Sequence, residues 1–292
     1  MSTVSRTVDD VLACPRCYSA FRRIETKLEC TSDACGFVAE IREDIVCALD
    51  SDFASTFFDA QFRVMTHGSD QPGARAAFYD QQGRALAREL EGTAVVVDIG
   101  CGPRLPYRRP LSAFMLGVDP SYESLRQNAD VDVRLHASAT RLPIASHSVD
   151  AIVCFYSLHH LIGGSVIENE QLMRAAFGEF GRVLAPGGRI VVFEVSPIWG
   201  IDRMQSLVWN PVRRAFPGPC EMFFWVRSAL NRVAGERLPA GTVMDTKTFA
   251  VAPFTAFPPA FALQWLKIPR VLYPFHICKY TWRVPSLTLR SR

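Results

Sequence analysis

Two acidic residues and two glycines, spaced as Asp98-Ile-Gly100-Cys101-Gly102 and then Asp119, have the types and separation to grip a nucleoside. The apolar, β-branched run Val95 to Val97 ends at Asp98 and enters a tight turn, the pattern of a buried strand that hands a backbone loop to a ligand. Glycine belongs in that turn because a Cβ would hold the backbone away from the ligand. Asp119 closes a second apolar strand within Phe114 to Ser121, seventeen residues past Gly102. An acidic residue about 20 residues beyond a glycine-rich first turn is placed to take both hydroxyls of a ribose.

A second kind of chemistry sits near the N-terminus. Four of the nine cysteines fall in the first 35 residues, as Cys14-Pro-Arg-Cys17 and Cys30-Thr-Ser-Asp-Ala-Cys35-Gly36. Two short-spaced pairs can close tetrahedrally on one ion from two knuckle turns, and Gly36 eases the second turn. Thiolates at about 2.3 Å suit Zn2+, and a shell of four sulfurs leaves no open position for water, so the expected role is structural. The second pair has four intervening residues where two are commoner. Cys47, in Asp44-Ile-Val-Cys-Ala-Leu49, is a substitute ligand by distance along the chain but reads as ordinary core.

These residues need elements to hold them. Asp50 to Gly92 is helical in composition, with Phe53, Phe57, Phe58 and Phe62 along one face, as core or as a roof over the substrate, and a helix from Ala74 to Glu91 stops at Gly92. Beyond Asp119 come a short strand, Asp132 to His136, a fourth strand, Ser148 to Tyr156, a helix, and a fifth strand within Arg182 to Glu194. Strands alternating with helical connectors predict an α/β fold, a doubly wound parallel sheet with helices on both faces. The last two strands are expected near Thr242 to Val251 and Ile277 to Val284. Ile198 to Leu238 then becomes an insertion whose aromatics, among them Trp199, Trp209, Phe216, Phe223, Phe224 and Trp225, pack it down or form an apolar pocket.

The chain has 292 residues, 49% of them hydrophobic, enough for a sizeable core, and a formal net charge of +3 with Lys and Arg scattered. Scattered charge gives no footprint for a phosphate backbone. The N-terminal residues lack the apolar core of a signal peptide, and many cysteines without an export signal fit a reducing compartment, so a cytoplasmic location is expected. The uncharged stretch Phe249 to Leu266 carries Pro253, Pro258 and Pro259, which argues against a membrane span.

In order and spacing, Val97-Asp-Ile-Gly-Cys-Gly-Pro103, Gly117-Val-Asp-Pro-Ser121, Arg141-Leu-Pro143 with Ser148-Val-Asp-Ala-Ile-Val153, Ser157-Leu-His-His-Leu161 and Arg182-Val-Leu-Ala-Pro-Gly-Gly-Arg189 resemble the successive motifs of class I S-adenosylmethionine-dependent methyltransferases, with a ubiquinone/menaquinone-methyltransferase-like core. The resemblance covers about residues 93 to 196. It implies a Rossmann-like seven-stranded sheet, S-adenosyl-L-methionine as cofactor, and roles at matching positions. Asp98, Gly100, Cys101 and Gly102 would hold the amino acid end, Asp119 and Pro120 the ribose, and Ser138, Ala139 and the segment to Leu142 the adenine, with Phe155 at the end of the fourth strand. The implied reaction is in-line displacement at the cofactor's methyl carbon, achieved mostly by alignment of the nucleophile.

Two positions depart from the pattern. Arg104 stands where a third small residue is usual, so the first helix must start late or be short, and Arg104 or Arg108 is a candidate partner for the cofactor carboxylate. No acid stands beside the expected adenine, where Ser138 offers a weaker acceptor. Tyr156, His159 and His160 lie just past the fourth strand, where substrate meets cofactor in open α/β sheets, and are the candidate catalytic groups. Glu194, at the end of the fifth strand, reads as a supporting acceptor.

The expected organisation is a zinc-ribbon-like module at 1–50, a helical linker or cap at 51–92 and the methyltransferase domain at 93–292, with an aromatic-rich insertion at about 197–241. The leading expectation is an enzyme that methylates a small, apolar or aromatic acceptor. A competing reading takes the cysteine module to resemble that of large-subunit rRNA guanine methyltransferases, where it would grip RNA; here Arg16, Arg22, Arg23 and Lys27 are balanced by Glu25, Glu29, Asp33 and Glu40. A third is a cofactor-binding scaffold without turnover.

Overall fold

The computed structural model describes residues 8–49, 72–215, 222–251, 254–256 and 267–286. The phenylalanine stripe at 53–62, together with Phe216, Phe257, Phe261 and Trp265, lies outside the described residues. Short α1 (Val8–Val11) leads into β1 (Phe21–Ile24), β2 (Lys27–Cys30), β3 (Val38–Arg42) and β4 (Ile45–Cys47). Then come α2 (Pro72–Glu89), β5 (Val95–Ile99), β6 (Phe114–Asp119), α3 (Tyr122–Gln127), β7 (Val133–His136) and β8 (Val149–Phe155). The rest comprises α4 (Val166–Val183), β9 (Leu184–Pro197), α5 (Trp199–Ala215), α6 (Arg227–Arg237), β10 (Val243–Phe249), β11 (Phe254–Ala256), β12 (Lys267–Pro269) and β13 (Phe275–Arg283).

The seven strands β7-β6-β5-β8-β9-β13-β10 lie in that order in one sheet, parallel from β7 to β9, with β13 antiparallel between β9 and β10. This is the doubly wound sheet the motifs imply, and β10 and β13 fall within a few residues of the expected last strands. Every residue of β5 is buried, as a central parallel strand covered on both faces requires. Val95, Val97 and Ile99 join the core that includes Met173, Phe177 and Phe180 of α4, whereas Val96 joins the core that includes Leu86 of α2. Period-two alternation thus assigns each helix to its face.

The sheet does not stop at β7. β4 runs parallel to it, pairing Ile45 with Arg134, Val46 with Leu135 and Cys47 with His136, and β3, β2 and β1 continue antiparallel outward to make eleven strands among the described residues. A three-residue segment, Ile45-Val46-Cys47, therefore covers what would otherwise be the open edge of the parallel sheet. α1 adds a second seam: Ala145 N–H donates to Val11 O at 2.8 Å and Ala13 N–H to Pro143 O at 3.2 Å.

The connection from β5 to β6, residues 100–113, holds no helix. Pro103, Pro106 and Pro110 explain this, since each removes an N–H donor and restricts the residue before it. The late or short helix expected from Arg104 is thus replaced by a turn-rich loop that buries Leu105 and Tyr107.

Candidate functional site

At the C-terminal end of β5 the chain turns through Gly100 and Gly102, with φ of +72° and +60°. Gly100 N–H donates to Val118 O at 2.7 Å, which ties the turn to β6. A Cβ on Gly100 would lie 2.5 Å from the Ser157 Cβ, whereas one on Gly102 would meet nothing within 4 Å. The first glycine is required by packing; the second leaves open backbone for a ligand. Gly100→Ala combines a left-handed backbone with a collision, and we expect a loss of about 2–4 kcal/mol, read from urea unfolding midpoints against wild type.

Asp119 lies at the end of the neighbouring strand. Its Oδ2 accepts from Gly102 N–H at 2.9 Å and its Oδ1 from Ser121 N–H at 2.8 Å, so its orientation is fixed from both sides. A carboxylate oxygen can accept more than one hydrogen bond, which is what a ribose diol needs. Pro120 follows, its carbonyl 3.0 Å from His136 Nε2. Asn128 Nδ2–H donates to Gly102 O at 2.8 Å, bracing the turn from α3.

Asp98 is buried beneath this turn, and Tyr107 O–H donates to its Oδ2. Burial pushes the Asp98 carboxyl up to about 7; the Tyr107 hydrogen bond opposes that shift and the Asp119 charge adds to it. Among the described residues, no cation is among the causes of that shift. The Cys101 thiol, also buried, is held well above its ordinary range and is neutral, so its contribution here is backbone. Arg104 and Arg108 are both exposed on the loop.

The segment after β7 turns through Ser138, whose hydroxyl shares a 2.8 Å hydrogen bond with Thr140 and accepts from Thr140 N–H at 3.2 Å. Ala139 is buried beside it. Phe155, at the end of β8, has its ring 5.7 Å from Tyr107 and 5.0 Å from Phe193. Tyr156 adopts φ +59° and its hydroxyl donates to Gln82 Oε1 of α2 at 2.8 Å, tethering it to that helix.

His159 and His160 sit in a one-turn 3-10 helix past β8, their rings 4.2 Å apart. His159 Nδ1 is 2.9 Å from Glu194 Oε2, and the His159 backbone N–H donates to Glu194 Oε1 at 3.2 Å. Both side chains are buried. In the neutral tautomer whose Nδ1–H donates to that carboxylate, Nε2 carries the lone pair, the arrangement that orients a histidine as a base. An aromatic wall continues from there: Phe224 lies 5.5 Å from His159 and 5.3 Å from Phe275, and Tyr273 lies 6.0 Å from Phe275. Gln205 of α5 fixes that wall, its Nε2–H donating to Phe224 O at 2.9 Å and its Oε1 accepting from Phe224 N–H at 3.1 Å.

The four N-terminal cysteines converge, their sulfurs all within 4.8 Å of one another, with Cys14 to Cys35 at 3.6 Å and Cys17 to Cys30 at 3.3 Å. Sulfurs about 2.3 Å from one tetrahedral ion stand about 3.8 Å apart, so the set fits zinc. Arg16 N–H donates to Cys14 Sγ and Ser32 N–H to Cys30 Sγ, both at 3.4 Å, as knuckle turns do toward thiolates. Gly36 has φ +63°, and Cys47 lies in β4, outside the cluster. Burial pushes the Cys14 thiol up to about 12, while hydrogen bonds from Ser19 help bring Cys17 down to about 6.

The knuckle reaches the segment around Ser138 through Glu179. That buried carboxylate accepts from Leu142 N–H at 2.8 Å, from Tyr18 O–H at 3.1 Å and from Arg182 at 2.8 Å, and the Arg182 guanidinium lies 4.1 Å from the Tyr18 ring centre. Arg182 is a local partner, three residues on, but Tyr18 and Leu142 stand 161 and 37 residues away and are not visible in local sequence. On the outer strands, Arg22 pairs with Glu29, Arg23 with Asp9 and Arg42 with Glu40. Those pairs leave little excess positive charge for RNA.

A sheet of this order, with a glycine turn and acidic strand ends beside the point where strand order reverses between β5 and β8, is the arrangement that class I S-adenosylmethionine-dependent methyltransferases share. Residues 97–192 match a family model described as a methyltransferase domain. Over 146 residues the chain is 28% identical to the ubiquinone/menaquinone biosynthesis C-methyltransferase UbiE of Syntrophotalea carbinolica, covering 48% of this chain and 56% of that protein. The match thus spans little more than half of the curated relative. Among solved structures, the YcgJ protein of Bacillus subtilis superposes with a TM-score of 0.46 at 15% identity, over 70% of this chain and 99% of that one. The phosphoethanolamine N-methyltransferase 2 of Haemonchus contortus, in complex with S-adenosyl-L-methionine, gives 0.48 at 13% identity, over 70% and 52%.

Proposed function

We propose that this chain transfers a methyl group from S-adenosyl-L-methionine to a small apolar or aromatic acceptor. The observation that carries this reading is the junction of β5 and β6, where buried Asp98, the open backbone at Gly102 and the doubly braced Asp119 meet. Asp98 and the Gly100–Gly102 backbone would take the amino acid end of the cofactor, Asp119 and Pro120 the ribose, and Ser138 and Ala139 the adenine, with Phe155 packed alongside. When bound, the cofactor supplies an electrophilic methyl carbon on a sulfonium. The chain's own task is to bring an acceptor's lone pair into line with that carbon and to exclude water. The aromatic wall of Phe224, Phe275 and Tyr273 supports an apolar acceptor, and the role in quinone biosynthesis that the relative's name carries is in keeping with one.

Where the acceptor loses a proton on methylation, His159 Nε2 would receive it while Glu194 stabilises the resulting imidazolium through Nδ1–H. His160 and Tyr156 serve in this reading to pack and tether the same corner. Glu194→Gln is expected to lower kcat about tenfold to a hundredfold with little change in cofactor KM, and to alter the pH dependence of kcat. An unchanged pH profile would reduce Glu194 to a packing role. The cysteine cluster is read as a structural zinc site that holds the two knuckles.

The direct test is incubation with methyl-labelled cofactor and an organic extract of cells. Label in an extractable small molecule supports the reading; label in RNA alone overturns it.

A further inference from the structure

We propose that the outward face of α5 docks on a lipid bilayer bearing anionic headgroups. α5 has two apolar sides. Trp209 is buried, and Gln205 on the same side holds Phe224 against His159. The other side presents Met204, Leu207, Val208 and Val212, at the three- and four-residue spacing of a helical stripe, with Leu207 79% and Met204 55% exposed. An apolar stripe left in water on the helix that walls the candidate site is costly unless something apolar meets it.

Neighbouring elements widen the stripe. At one end, Ile198 N–H donates to Pro274 O at 3.0 Å, placing the start of α5 beside the turn that carries Val271 and Leu272, which are 89% and 71% exposed. Farther along, Val166 N–H donates to Asn210 Oδ1 at 3.0 Å, which brings exposed Ile167 of α4 alongside. Apolar surface drawn from three separate elements suits a broad, fluid partner better than a single peptide groove.

Charge selects the kind of surface. α5 carries Arg203, Arg213 and Arg214 against Asp202 alone, and Arg270 precedes Val271. Arg203 and Arg214 follow the Asn210 line of the helix, along one edge of the stripe. Apolar side chains flanked by arginine are the pattern of a helix lying in the headgroup region, with guanidinium groups on phosphate and the stripe in the acyl boundary. That the acceptor would enter from the membrane rests on the methyl-transfer reading; the docking itself does not.

Flotation of the full chain with vesicles, without cofactor, tests docking alone. Wild type is expected to float with vesicles containing phosphatidylglycerol and far less with phosphatidylcholine alone. The double substitution Met204→Glu and Leu207→Glu should cut the floated fraction about tenfold, and Arg214→Glu should remove the preference for the anionic lipid. An unchanged melting temperature and circular dichroism would establish that both variants fold. Wild type that stays down with both vesicles, equal flotation with both, or a double variant that floats like wild type would overturn the proposal. So would a dimer that the double variant dissolves without any lipid binding, because the stripe would then be covered by a second copy.

Discussion

Asp98→Asn is expected to stabilise the cofactor-free protein near pH 8 while removing tight cofactor binding. In the folded chain burial raises this carboxyl to about 7, against about 3.9 for an exposed aspartate. The folded protein therefore holds a proton that the unfolded chain has released between about pH 4 and 7, and stability falls as pH rises through that window. Above pH 7 the buried, ionised carboxylate imposes its full cost, on the order of 4 kcal/mol. Asparagine carries no charge and still accepts from Tyr107, so the variant should unfold at higher urea near pH 8 and show no advantage near pH 4. A ligand with a cationic amino group has the opposite preference, since it favours the ionised form. Cofactor affinity should accordingly fall about tenfold per unit as pH drops below 7 in wild type, and be lost at every pH in the variant. Equal stability of the two proteins near pH 8 would mean that Asp98 is not held protonated by burial.

The second large effect is expected at the cysteine cluster. Cys14→Ser removes a fully buried ligand, and we expect loss of one zinc per chain and destabilisation on the order of 4 kcal/mol. The loss should spread. The knuckle holds Tyr18 on Glu179, and Glu179 holds Leu142 at the end of the segment assigned to the adenine, so cofactor affinity should fall several-fold as well. Metal analysis, melting temperature and cofactor titration on one preparation check all three. Retained zinc with unchanged melting would contradict the metal assignment. Loss of zinc with unchanged cofactor affinity would limit the knuckle to holding its own strands.

The order of the central strands was legible in the sequence because each motif ends a strand with a residue of special backbone or charge, as at Asp98, Gly100 and Asp119. The burial of Trp209, Phe223 and Trp225 was legible for a coarser reason, since large aromatics in a chain with this little charge pack inward. What stayed hidden depends on contacts between distant segments. Nothing in Ile45-Val46-Cys47 distinguishes a strand pairing with β7 from ordinary core, and three residues carry too little periodicity to show it. Arg104 pointed only to a first crossover helix that starts late or is short, not to its replacement by a loop in which Tyr107 fills the gap and bonds Asp98. The pairing of His159 with Glu194 was within reach, since both residues stood out at strand ends; their separation of 35 residues left the distance open.

The first measurement is calorimetric titration of the purified chain with S-adenosyl-L-methionine and with its demethylated product. Binding of both, at one molecule per chain and weaker at acid pH, is the expected result. Absence of heat with either ligand, from a protein shown to be folded and zinc-loaded, would contradict the central claim that the turn between β5 and β6 is a cofactor site.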